Sequence, residues 1–188
     1  MRTLLTPEDA ERGLRRLAGE IIERHQGVER LLLVGIRRGG EPLAEWLAQE
    51  CKQQCGTDVP VGHLDISLYR DDAAEALPNP RIGPARIPVA LKGYRVVLCD
   101  DVLYTGRTIR AALDALLDYG RAAQVELAVL LDRPGRELPI QADYFVKRVE
   151  VTQHERVDVI PTAQGFHAVA VAQGSPTTPP PAVTKSDL

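Results

Sequence analysis

The chain has no uncharged apolar run of the ~18 residues that a membrane-spanning helix needs. Its opening, Met1-Arg2-Thr3-Leu4-Leu5-Thr6-Pro7, lacks the apolar core of a signal peptide, so a cytoplasmic protein is expected. Cysteine is scarce: three residues, an odd number in a chain without a leader, argue against a disulfide framework. Cys51 and Cys55 stand one helical turn apart, but no His or Asp beside them completes a tetrahedral set, so no protein-held metal is expected there. Positive charge is not in excess either. The formal net charge of −3 means that any nucleic-acid surface must be local. No internal repeat is visible. What remains fits a single domain, since 188 residues can bury about 70% of the surface their unfolded chain exposes without a disulfide or metal staple.

The most informative stretch is Val96-Val97-Leu98-Cys99-Asp100-Asp101-Val102-Leu103-Tyr104-Thr105-Gly106-Arg107-Thr108. An apolar, β-branched run leads into two adjacent carboxylates, then a short loop, then the helical pattern that starts at Ile109. At the carboxyl end of a strand in an open α/β sheet, such a turn faces the ligand crevice and opens a helix whose free N–H groups favour an anion. Thr105 and Thr108 can donate hydroxyls to phosphate oxygens, and Gly106 lets the backbone turn sharply and approach a ligand. Ionised Asp100 and Asp101 only accept, which suits the 2′- and 3′-hydroxyls of a ribose. An ordinary strand-to-helix turn would place two like charges side by side for no gain.

The rest of the chain alternates in the same way. Thr6, Pro7 and Asp9 mark the start of a helix over residues 6–24. Leu14, Leu17, Ala18, Ile21 and Ile22 form its core face, with Arg12, Arg15 and Arg16 opposite and Arg24 at the edge. From charge patterning alone that arginine face is a solvated surface before it is a phosphate contact. Residues 31–34 read as a strand covered on both faces. Gly35-Ile36-Arg37-Arg38-Gly39-Gly40 then forms a loop whose two guanidiniums suit phosphate oxygens, and Pro42 opens a helix through Glu50. Residues 61–69 alternate as a strand, and the proline-rich stretch to Pro88 is expected to be a mobile loop. The central helix is expected to end near Tyr119 with Gly120 as its stop, followed by a strand over 125–131. Residues 157–159 and 168–171 can pair as a hairpin. From Gln173 on, prolines among Ser, Thr and Lys predict a disordered tail, which leaves one domain over 1–172. Strands alternating with helices predict a single α/β domain with a mainly parallel central sheet flanked by helices.

These residues resemble a known family. The acid-pair stretch is similar to the phosphoribosyl pyrophosphate (PRPP) binding motif of the type I phosphoribosyltransferases. With Asp132-Arg133-Pro134-Gly135-Arg136-Glu137-Leu138-Pro139-Ile140 and Leu68-Tyr69-Arg70-Asp71-Asp72, it resembles the branch that couples uracil phosphoribosyltransferase activity to transcription attenuation of the pyrimidine operon. The resemblance covers most of residues 1–170 and not the tail. It implies transfer from PRPP to uracil, giving UMP and pyrophosphate, with purine or orotate as less favoured acceptors. Asp100, Asp101, Arg37 and Arg38 would stand at the chemistry. The whole run Val97, Leu98, Cys99, Asp100, Asp101, Val102, Leu103, Tyr104, Thr105, Gly106, Arg107, Thr108 and Ile109 would contact the donor. The proline-rich stretch would close over PRPP, with Tyr69, Arg70 and Arg81 as contacts. Arg133, Arg136, Phe145 and Val146 would surround the base, Phe145 being the wall. Magnesium would come bound mainly through PRPP itself, and a homodimer or higher oligomer is implied. Leader mRNA would meet Arg15, Arg16, Arg24, Arg148 and Arg156, although Gly19 stands where a polar contact is expected. The residues alone name no general base, and a purely metabolic enzyme without RNA binding stays open.

Overall fold

The computed structural model describes residues 1–67, 69, 86–162 and 165–172. The expected lid contacts Arg70 and Arg81, most of the proline-rich stretch, and the tail from residue 173 lie outside them. Five parallel strands form the central sheet in the order β3 (Val61–Leu64), β2 (Leu31–Ile36), β4 (Arg95–Leu103), β5 (Gln124–Asp132), β6 (Tyr144–Arg148). The first two helices are α1 (Pro7–His25) and α2 (Gly40–Cys55), and α3 (Arg107–Leu117) follows β4. β2 is buried from end to end, as its unbroken apolar run requires. Alternate residues divide the core in two. Leu31, Leu33, Val97 and Cys99 join Leu14, Leu17, Leu43 and Leu47 under α1 and α2. Leu32, Val34, Val96 and Leu98 join Ile109, Ala112 and Leu116 under α3 on the other face. No helix of the described residues is long and apolar enough to cross a membrane.

A second, three-stranded antiparallel sheet has the order β1 (Arg2–Leu5), β8 (Gly165–Ala172), β7 (Glu155–Thr162). The expected hairpin is there, with Val157 opposite Ala170 and Val159 opposite Ala168. The amino-terminal strand is an addition to the sequence reading: Leu4 and Leu5 are buried because β8 supplies their partners. Its core is fastened to the larger sheet's helices by Phe166, whose ring tilts against Trp46 of α2 at 6.3 Å.

Helix ends follow local chemistry. The Thr6 hydroxyl accepts from the Asp9 N–H at 3.2 Å, with Pro7 in the first turn. The third strand ends at Leu64 instead of Tyr69, because Asp65 turns its carboxylate onto the Ser67 N–H and hydroxyl at 2.9 and 2.5 Å. The central helix starts two residues before Ile109, at Arg107, and ends at Leu117.

Candidate active site

The site forms where β2 and β4 end side by side. Asp100 closes the buried run at 96–100 of β4, and Asp101 follows in the same central strand, mostly covered. Each carboxylate accepts the next residue's N–H: Asp100 from Asp101 at 3.0 Å, and Asp101 from Val102 at 2.8 Å. Burial, and then the charge of Asp101, push the Asp100 carboxyl well above the usual carboxylate range. Burial raises Asp101 as well, outweighing the backbone N–H bonds it accepts. An acid pair held in this way gains from hydroxyl donors or a cation brought by a ligand.

The loop after β2 lies directly against these acids. A Cβ on Gly39 would sit 2.4 Å from the Asp101 carboxylate, and one on Gly40 would sit 1.8 Å from the Cys99 carbonyl oxygen. The two glycines are therefore what lets Arg37 and Arg38 stand beside the carboxyl end of β4. The Arg37–Arg38 peptide bond is cis. Arg37 is aimed by Asp65 at 3.4 Å and Glu41 at 3.7 Å. Burial alone would raise Asp65, but the Ser67 hydrogen bonds and the Arg37 charge hold its carboxyl below the ordinary value. Arg37, Arg38, Asp65, Ile66 and Ser67 line a cavity of about 500 Å³. Glu41, Asp65 and Ser67 belong to this surround and were not found by reading the sequence.

The loop before α3, the expected phosphate loop, is built around Gly106, whose φ of 93° only glycine adopts cheaply. Of the three helices among the described residues, α3 alone has neither a side-chain cap nor an acid in its first turn, so its leading N–H groups suit an anion. The Thr105 hydroxyl accepts from the Arg107 N–H at 3.3 Å, which leaves its own proton to donate. Val97, Leu98, Cys99, Leu103 and Ile109 are buried. They brace the loop from the core, and burial also pushes the Cys99 thiol upward.

The segment after β5 interlocks with this loop. Thr105 O accepts from the Glu137 and Leu138 N–H groups at 3.0 and 3.2 Å, and Arg107 pairs with Glu137 at 2.6 Å. Arg136 donates to the carbonyls of Leu103, Tyr104, Arg133 and Ile140 and to the Asp132 carboxylate. Its guanidinium is thus turned to the protein. Asp132 also takes Arg148 at 3.1 Å, and these residues border a cavity of about 390 Å³ with Pro134, Gln141, Ala142 and Glu150. Arg148 lies over the Phe145 ring at 4.8 Å. Phe145 packs on the α3 face of the sheet, whereas Val146 packs under α1, where a Cβ on Gly13 would meet its side chain at 2.3 Å. Tyr69 bonds its hydroxyl to Asp118 and its carbonyl to Arg110, so it flanks α3.

Each of the arginines named for RNA meets an acid. Arg16 meets Phe145 O and Val146 O at 2.8 and 3.1 Å and, with Arg12, Gly13 and Lys147, lines a groove of about 360 Å³ between α1 and β6. Arg24 sits at the other end of α1, paired with Glu126 at 3.1 Å. Arg15 pairs with Glu11 at 2.9 Å, and Arg156 with Asp158 at 3.1 Å. Glu126 is buried and also takes His25, Tyr144 and Gln124, each at 2.8 Å. Its only mark in the sequence is a lone carboxylate inside an apolar strand.

Comparison with known proteins agrees with this geometry. Residues 2–162 match the phosphoribosyl transferase domain model. The chain is 52% identical over 157 residues to the bifunctional protein PyrR of Deinococcus deserti, covering 84% of this chain and 86% of that protein. It is 48% identical over 173 residues to the bifunctional protein PyrR of Chloroflexus aurantiacus, covering 92% and 95%. Among solved structures, a hypoxanthine phosphoribosyltransferase from Staphylococcus aureus shares the fold, with a TM-score of 0.63 at 24% identity over 83% of this chain and 80% of that one. With the acid pair, the glycine-capped phosphate loop and these relatives in view, the chain belongs to the phosphoribosyl transferase domain family and, within it, to the PyrR proteins.

Proposed function

We propose that this protein transfers the phosphoribosyl group of PRPP to uracil, giving UMP and pyrophosphate, and that it also acts as an RNA-binding attenuation regulator of a pyrimidine operon. The observation that carries the reading is the seating of Gly39 and Gly40 against Asp101 and Cys99, which sets the arginine loop against the acid pair of β4. In this reading Asp100 and Asp101 accept the ribose hydroxyls. The hydroxyls of Thr105 and Thr108, with the N–H groups at the start of α3, hold the 5′-phosphate. Arg37 and Arg38 face the departing pyrophosphate, where cationic donors stabilise charge that grows in the transition state. Holding the sugar still is itself a large part of the rate, because the base then attacks a positioned anomeric carbon.

Among the described residues, no three His, Cys, Asp or Glu side chains converge on a metal position. In this reading a magnesium ion would be carried largely by the oxygens of PRPP, with Asp100 and Asp101 at hand. Bound there, the ion would offset charge on the leaving group. The catalytic unit spans residues 1–172 and works in the cytoplasm, as a homodimer or larger assembly. The ion pairs on Arg15, Arg16, Arg24, Arg148 and Arg156 favour a second reading, an enzyme without RNA affinity. Incubation of the protein with PRPP, magnesium and uracil, hypoxanthine or orotate in turn, followed by chromatography, is the test. UMP as the dominant product is expected. Turnover confined to hypoxanthine or orotate would overturn the uracil assignment, and retention of pyrimidine leader RNA no better than unrelated RNA would leave the enzyme alone.

A further inference from the structure

Arg133 is buried, only 5% exposed, and borders the cavity of about 390 Å³ beside Asp132 and Arg136. Its Nη1 donates to Glu155 O at 3.1 Å and its Nη2 to Thr152 O at 3.0 Å, both in the turn that leads into β7. The flat guanidinium lies 4.0 Å from the centroid of the Tyr104 ring, inside the phosphate loop. A guanidinium can do both at once, since its hydrogen bonds lie in its plane and its faces are left for stacking. The grip on the turn is firm, because the turn is already braced: Glu155 accepts from the Thr152 N–H and hydroxyl at 2.9 and 3.1 Å. Gly135, at φ 115°, closes on Tyr104, and a Cβ there would come 2.3 Å from the ring. The Arg133 Nε is buried without a hydrogen-bond partner, a cost that packing alone does not explain.

We infer that Arg133 is a positioning residue for the phosphoribosyl donor: by stacking on Tyr104 while holding the carbonyls of Thr152 and Glu155, it fixes the phosphate loop relative to the antiparallel sheet. The inference rests on the reading of this crevice as the PRPP site. Lysine cannot replace it, having no flat face and no fork. Phenylalanine can replace Tyr104, because the ring is what is used.

Steady-state kinetics with PRPP and uracil varied separately, on Arg133→Lys, Arg133→Met, Tyr104→Leu and Tyr104→Phe, test the link, with thermal unfolding run on each. A displaced loop should raise the Michaelis constant for PRPP by about tenfold or more in the first three variants, within the loss that ~1 Å misplacement can cause. The constant for uracil should rise by less than that for PRPP. Tyr104→Phe, which keeps the ring, should raise the PRPP constant less than Tyr104→Leu, and the Arg133→Met/Tyr104→Leu double variant should be no worse than the poorer single one, as two halves of one contact require. An unchanged PRPP constant, equal rises in both constants, or additive losses in the double variant would overturn the inference. If the Arg133 variants fail to fold, the contrast between Tyr104→Leu and Tyr104→Phe decides alone. A wild-type protein without turnover would sink the enzymatic reading instead, and calorimetric PRPP binding by the same variants would then decide for or against Arg133.

Discussion

Asp100 and Asp101 do different things before and after the donor binds. Each charge-assisted hydrogen bond that is better made in the transition state is worth ~1.5–3 kcal/mol. Asp100→Asn and Asp101→Asn should therefore each lower kcat/KM by about 10- to 150-fold, measured with folding verified by circular dichroism. Unchanged kinetics in both would remove them from the ribose site. The free protein should respond the opposite way. Burial and the paired charge raise the Asp100 carboxyl in the folded state, so between the ordinary carboxylate range and that raised value the native chain holds more protons than the unfolded one. Stability then falls as pH rises through this window. Asp100→Asn, which cannot ionise, should unfold at a higher temperature than wild type at pH 7, and the gap should shrink as pH falls towards the ordinary carboxylate range. A gap that widens on acidification would contradict the sign. In the proposed reading, the ribose hydroxyls would offset that electrostatic cost when the donor binds.

Elements whose signals are local could be read directly from the chain. Thr6 and Pro7 place the start of α1 because capping involves only the first turn, and Leu31–Ile36 and Arg95–Leu103 announce themselves as strands buried on both faces. Arg2–Leu5 does not, because two leucines become a strand only when β8 arrives from the far end of the chain. The same division runs through the site. The acids and Gly106 stand in one continuous stretch, whereas the hold of residues 133–138 on the phosphate loop depends on two segments meeting in space. A Pro-Gly pair can mark any turn, and the left-handed Gly135 that makes room for Tyr104 leaves no further trace in the sequence. Glu126 is the clearest case. It lies in β5 and joins the end of α1 to β6 through His25, Arg24 and Tyr144. Glu126→Ala should leave buried His25 and Tyr144 without their acceptor and Arg24 without its main partner. A loss of about 3 kcal/mol in urea unfolding is expected, with a loss under about 0.5 kcal/mol meaning that the network relaxes onto water.

At the scale of the whole molecule, the net charge of −3 and the paired arginines restrict RNA to particular patches. Arg16 is one candidate, half exposed in a groove it shares with Arg12 and Lys147. If it contacts one phosphate of single-stranded or looped leader RNA, Arg16→Ala should flatten the slope of log affinity against log salt by about 0.7 while uracil transfer is kept. No change in affinity or slope for Arg16→Ala and Arg24→Ala alike would remove α1 from the interface. The two sheets also differ in what holds them. β4 is bonded on both sides and covered on both faces, whereas β7 is an edge strand with its residues only partly buried. Backbone amides in residues 96–103 should consequently exchange with deuterium more slowly than those in 155–162, by mass spectrometry of peptic fragments. The carboxylates proposed to receive the ribose would then ride on the slowest-opening part of the chain, whereas the Arg133 hold on the turn before β7 would loosen first as the smaller sheet frays under heat or denaturant.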